Sequence, residues 1–270
     1  MSLINSTRRL YCIISLMFCL LFVGTAAADN IKVMGEYHPP LNGNPDDASP
    51  GFMIEIAQAV FSKYGHTVTY SMGPRPRAVK QAKMGQIDCV VNAKINTHNY
   101  LSFPDQPWGY HAATLFALPE SKFQYQNIEQ LVSITLGAIA GMGYDNGPLD
   151  DYLKHKSKMI VLSHGKHAMT QQMKMLFHKR IETVVSCPLI MRGQLKSMGV
   201  SLNKVKNVGE VKPLVGMYFA CGDNARTDSF IDQINKTIPL MRKSGELQEI
   251  LDKYGQIDWI DIYNSQDTPH

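Results

Sequence analysis

The stretch GFMIEIAQAVFSKYGHTVTY (51–70) decides the fold class, because its hydrophobic period changes partway along. Ile54, Ile56, Ala57, Val60 and Phe61 recur at helical spacing, so Phe52–Tyr64 reads as an amphipathic helix. Gly65 stands where a helix C-cap favours a positive φ. Thr67–Tyr70 is then β-branched and aromatic, the composition of a strand. Outward on the N-terminal side, Asn42–Pro50 is a turn-rich loop and Ile31–Met34 a short strand. Outward on the other side, Pro76 precedes a helix over Arg77–Met84, Gly85 stops it, and Ile87–Val91 is a buried strand. The unit is βαβαβ, with connections long enough for parallel pairing.

A second α/β set follows. Strands are expected over His111–Leu118, Ser133–Ala140, Met159–Ser163 and Thr183–Ser186, with helices over Leu149–His155, Ala168–His178 and Ile190–Met198. One more strand, Met217–Ala220, leads into Asp228–Tyr254, where two helical stretches are punctuated by Pro239 and Gly245. No internal repeat or low-complexity tract interrupts this order.

The N-terminus indicates export. Arg8 and Arg9 form a basic start, Leu10–Val23 is an apolar run, and Ala26–Ala28 supplies the small residues of a cleavage site. That run of about 14 residues is shorter than the ~20 a membrane-spanning helix needs, so no membrane insertion is expected after cleavage. Cleavage near Ala28 leaves about 240 of the 270 residues, ample for two lobes. The formal charge of +4 falls to about +2 with the two arginines gone, and no basic stripe suggests nucleic acid. Three cysteines remain, Cys89, Cys187 and Cys221, and an oxidising compartment permits one bridge. Cys187–Cys221 is the pair to test, against the alternative of three buried thiols.

EYHPPLNG (36–43), the helix through Gly65 and AVKQAKMGQIDCVV (78–91) resemble the opening of periplasmic solute-binding proteins of the polar amino-acid-binding, family 3 type. GMGYDNGPLDDYL (141–153) resembles that family's second-lobe turn, and SGELQEILDKYG (244–255) its closing helix. The resemblance implies an α/β, two-lobed (type II) fold, each lobe a mixed sheet flanked by helices. It implies lobe 1 over 29–110 and 219–262, lobe 2 over 111–218, two hinge strands, and a tail at 263–270. It also implies a protein, expected to be monomeric, that closes on a small-molecule ligand and serves a membrane permease or a membrane sensor protein.

Two departures bear on the ligand. The arginine that clamps an α-carboxylate in such proteins would fall at Asn99 or Tyr100, neither of which is charged. The acid that receives an α-ammonium would fall at Ser186 or Cys187. A buried zwitterion without these partners costs several kcal/mol, roughly, which argues against an ordinary α-amino acid. The candidate ligand-binding residues are Tyr37, Phe52, Arg77, Asn92, Lys94, Trp108, Tyr110, Gly141, Gly143, Tyr144 and Cys187. Each has a plainer alternative: Arg77 a first-turn surface residue, Trp108 hinge packing, Gly141 and Gly143 mere turn formers, Cys187 a packed thiol. An aromatic-lined cleft suits cations or flat rings, whereas Arg77 suits a carboxylate or phosphate; both remain open. His164 and His167 form an H-x-x-H that reads as a solvated loop rather than a metal site. No cofactor is expected. No nucleophile elbow or metalloprotease motif occurs, and Glu36, Asp105 and Asp145 have no visible catalytic partner, so no enzymatic activity is expected.

Overall fold

The computed structural model describes residues 28–261 apart from 96–99, 145–146, 156, 166 and 212–214. The signal-peptide reading, apart from Ala28, the tail at 263–270, and Asn99 and Asp145 therefore lie outside the described residues.

The βαβαβ unit forms as its periodicity implies. Strands β1 (Asn30–Gly35), β2 (Thr67–Met72) and β3 (Cys89–Ala93) pair in parallel, with β1 in the middle. Helix α1 (Phe52–Ser62) buries Phe52, Met53, Ile54, Ile56, Ala57, Val60 and Phe61 beneath this sheet. It starts abruptly at Gly51, whose φ of 116° brings a notional Cβ within 2.4 Å of the Asn42 backbone, so only glycine fits. Helix α2 spans Arg75–Lys83, two residues earlier than its sequence suggests, because Pro76 sits inside its first turn.

Two further strands complete this sheet, β4 (Leu101–Ser102) and β12 (Tyr218–Gly222), in the order β2-β1-β3-β12-β4. A second five-stranded sheet, ordered β10-β6-β9-β7-β8, comprises β6 (Thr114–Ala117), β7 (Leu136–Ile139), β8 (Ile160–Ser163), β9 (Thr183–Ser186) and β10 (Lys206–Glu210). Helices α3 (Pro148–Lys154), α4 (Ala168–Phe177) and α5 (Pro188–Ser197) belong to this set. Where the chain passes from the first sheet to the second and back, β5 (Tyr110–His111) and β11 (Val215–Gly216) pair as an antiparallel ribbon. This is the two-lobed α/β architecture, with separate hydrophobic cores around each sheet. Helix α6 (Ala225–Ser244) runs straight through Pro239 and ends at Gly245, from which α7 (Glu246–Lys253) starts. Of the two expected breakers, only the glycine separates helices.

The cysteine pairing corrects the expectation. The bridge is Cys89–Cys221, and Cys187 is free and buried. Cys89 and Cys221 lie directly opposite on the antiparallel pair β3–β12, their Cα atoms 3.9 Å apart. Cys187 follows β9, a strand of the other sheet, and the partner opposite Cys221 on β3 is Cys89.

Along β3–β12 the register slips between Tyr218 and Ala220, so Val91 and Asn92 oppose the single residue Phe219. Asn92 takes up this bulge with φ 61° while 1% exposed. After glycine, asparagine tolerates that backbone best. Neither polar atom of its side chain has a hydrogen-bond partner among the described residues. Asn92→Gly is therefore expected to change stability by less than about 0.5 kcal/mol, whereas Asn92→Val costs about 1–3 kcal/mol in urea unfolding.

Candidate functional site

Between the two sheets lies a cavity of about 360 Å³ with walls from both sides. From the first sheet come Glu36, Tyr37 and His38, which follow β1, Arg75 at the start of α2, and Lys94 after β3. From the second come Met142, Gly143 and Tyr144, in the loop between β7 and α3. His111, Val215 and Met217 of the connecting segments close the remaining side. The residues contributed by the two large sheets follow the ends of β1, β2, β3 and β7, which is where open α/β sheets leave a crevice for ligands. A second cavity of about 680 Å³ shares Tyr37, His38 and Met142 with the first and extends past Pro39, Pro40, Met169 and Ile190.

His38 is the most constrained side chain here. Its backbone N–H donates to Asn42 O at 2.8 Å and its Nε2 is buried with no partner among the described residues. Burial, the Arg75 guanidinium and the Lys94 ammonium together lower its pKa from 6.5 to about 4. Arg75 also pairs with Glu36 at 3.9 Å, although that carboxylate is 56% exposed. Tyr144 is buried, its hydroxyl accepting from Ile139 N–H at 2.8 Å, and burial raises its pKa to about 12. It therefore adds no negative charge to the cleft at neutral pH.

The depressed His38 makes folding pH-dependent. Between its unfolded pKa of 6.5 and its folded value near 4, the unfolded chain binds a proton that the folded chain refuses. Stability is therefore full above 6.5 and lost as pH falls, by about 2 kcal/mol at pH 5. His38→Asn is expected to flatten the fall in melting temperature between pH 7.5 and 5 relative to wild type. Parallel curves for the two proteins would show that His38 contributes nothing to it.

The sequence-derived candidates separate into groups. Tyr37, Lys94, Gly143 and Tyr144 meet in the cleft. Phe52, Trp108 and Tyr110 line a separate cavity of about 230 Å³ together with Leu189, Arg192 and Trp259. Cys187 sits close to them, its thiol donating to Tyr110 O at 3.7 Å. Gly141, with φ 76°, borders another hollow shared with Asp150 and Asp151. Arg77 is exposed on α2, and Asn92 occupies the β3 bulge. Tyr100 borders a different hollow, with Lys83 Nζ 3.5 Å above its ring. Sequence reading passed over Arg75 and His38. The signal available was the Arg-Pro-Arg run 75–77, in which either arginine could open the helix. Among the described residues no group of three or more His, Cys, Asp or Glu could hold a metal ion.

Solved structures share this fold at low identity. A polar amino acid ABC uptake transporter substrate-binding protein from Streptococcus thermophilus superposes with a TM-score of 0.68 at 21% identity, covering 89% of this chain and 92% of its own. The L-cystine solute receptor of Neisseria gonorrhoeae, unliganded and open, gives 0.62 at 16% identity, with 86% and 95% covered. A histidine kinase sensor domain with similarity to periplasmic binding proteins gives 0.53 at 17% identity, with 83% and 95% covered. Identities this low establish the fold and nothing finer. No curated protein sequence matches the chain. The family described as bacterial extracellular solute-binding proteins, family 3, matches residues 31–257. With a match that long, on a fold whose cleft is built from both lobes, the chain belongs to the family 3 bacterial extracellular solute-binding proteins.

Proposed function

We propose that the protein is exported to the periplasm, loses residues 1–28 as a signal peptide, and captures a small polar or charged solute by lobe closure for an ABC-type transporter. In this reading lobe 1 comprises 29–110 and 219–262, lobe 2 comprises 111–218, and the β5–β11 ribbon carries the hinge. The observation that supports it most is the cleft of about 360 Å³ whose walls combine Tyr37, Arg75 and Lys94 with Gly143 and Tyr144. A ligand touching both walls binds the closed form better than the open one, and that difference drives closure. The ligand is not an ordinary α-amino acid, because the two charged clamps of amino-acid binders are replaced at Asn99 or Tyr100 and at Ser186 or Cys187.

A thermal-shift screen against amino acids, polyamines, carboxylates and aromatic compounds tests this reading. A ligand at 100 times its dissociation constant stabilises by about 2.7 kcal/mol, a shift of several degrees. Large shifts from common α-amino acids would overturn the exclusion, and silence across every class would overturn solute capture.

Sensing is the second reading, favoured by the likeness to a histidine kinase sensor domain across 95% of that domain. Deletion of the gene distinguishes the two. Loss of ligand uptake supports delivery to a permease, whereas intact uptake with a lost response supports a membrane sensor as partner.

A further inference from the structure

The cleft is chemically divided along its length. At one end, the fields of Arg75 and Lys94 converge on the His38 ring. The carboxylate on that wall, Glu36, is half in solvent and already faces Arg75. An ammonium placed at Glu36 would compete with that guanidinium and meet Lys94 on the same wall. Tyr144 stays protonated and His38 uncharged at neutral pH, so among the described residues lining the cavity the cations Arg75 and Lys94 stand against the acid Glu36. An anionic oxygen is the natural occupant there, and His38 Nε2 is the buried ring nitrogen it would engage. At the other end, the cavity of about 680 Å³ runs between the Pro39–Pro40 turn and the apolar side chains Met142, Met169 and Ile190. Its wall is far more apolar than the first, and the space exceeds what an amino-acid backbone alone would fill.

Resting on the solute-binding reading, we propose that the cleft takes an amphipathic organic carboxylate. Its anionic head lies between Arg75, Lys94 and His38, and its apolar body lies along Met142, Met169 and Ile190. The head supplies orientation through charge, and the body supplies affinity through apolar burial. A carboxylate without a body would leave the larger cavity unfilled. A body without the charge would forgo the charge-assisted hydrogen bonds that Arg75 and Lys94 offer at the other end.

Calorimetry and thermal shift with four matched probes test this: 3-phenylpropionate, its amide, acetate and phenylalanine. The expected order is 3-phenylpropionate first, with the amide and acetate each at least about 10-fold weaker and phenylalanine weaker than 3-phenylpropionate. Arg75→Ala, a first-turn helix substitution whose folding is checked by circular dichroism, weakens 3-phenylpropionate by about 10- to 100-fold. Phenylalanine binding tighter than 3-phenylpropionate would overturn the proposal and leave solute capture standing. Acetate matching 3-phenylpropionate would overturn the apolar half. Failure of these probes and of the wider screen alike would overturn solute capture itself, and the two failures are thereby distinguished.

Discussion

Reduction of the Cys89–Cys221 disulfide is expected to lower the melting temperature by about 10 °C. The bridge spans 132 residues of sequence, so it holds together most of the chain between β3 and β12. In the chain-entropy account a loop of that length contributes about 5 kcal/mol, and native bridges removed from other proteins cost roughly 2–5 kcal/mol. For a protein of this size each kcal/mol moves the midpoint by about 2–4 °C. The bridged strand β12 brings the chain back from the second lobe, and Cys221 faces Cys89 in the middle of the first sheet. The double variant Cys89→Ser, Cys221→Ser gives the same drop without reductant, and reductant then has no further effect. Cys187→Ser leaves the midpoint within about 2 °C, because it removes no crosslink. A drop on reduction that persists in the double variant would place the sensitivity elsewhere.

Trp108→Ala carries the second large effect, a loss of about 3–5 kcal/mol in chemical denaturation. The indole is 1% exposed and stacks on Phe219 with ring centroids 5.0 Å apart. Its backbone N–H also donates to Met217 O at 2.7 Å, joining the segment before β5 to the segment before β12. Truncation leaves a cavity beside Phe219 that the paired strands cannot close. Tyr37→Ala offers the contrast. That ring is 61% exposed, so its removal changes stability by less than about 0.5 kcal/mol and is read in ligand affinity instead. Equal destabilisation by the two substitutions would contradict this division between packing and cleft wall.

The contrast between Trp108 and Tyr37 shows where sequence reading stops. Both are aromatic residues beside loops, and nothing in spacing tells a ring stacked on Phe219 from one standing in solvent. Periodicity was a sound guide to α1, α4 and the parallel β1–β3 unit, because each presents a continuous apolar face. It was blind to β10, whose sequence KNVGE has no alternation and contains a register slip between Asn207 and Gly209, the glycine at φ 141°. The disulfide was illegible for a related reason. Which cysteine faces Cys221 depends on strand register between segments more than a hundred residues apart, and register is fixed by packing. Arg75 and Arg77 pose the same problem over a shorter distance. Once α2 begins at Arg75, that side chain borders the cleft and Arg77 turns to solvent. His38 gave no signal at all. Its burial comes from the tight turn that bonds His38 to Asn42, and its depressed pKa from cations on other elements.

Lobe closure on a solute is tested most directly by small-angle X-ray scattering while the protein is titrated with a ligand found by thermal shift. The radius of gyration is expected to fall in proportion to saturation and to return when the ligand is dialysed away. A ligand that binds saturably while the radius of gyration stays constant would contradict closure between the two lobes.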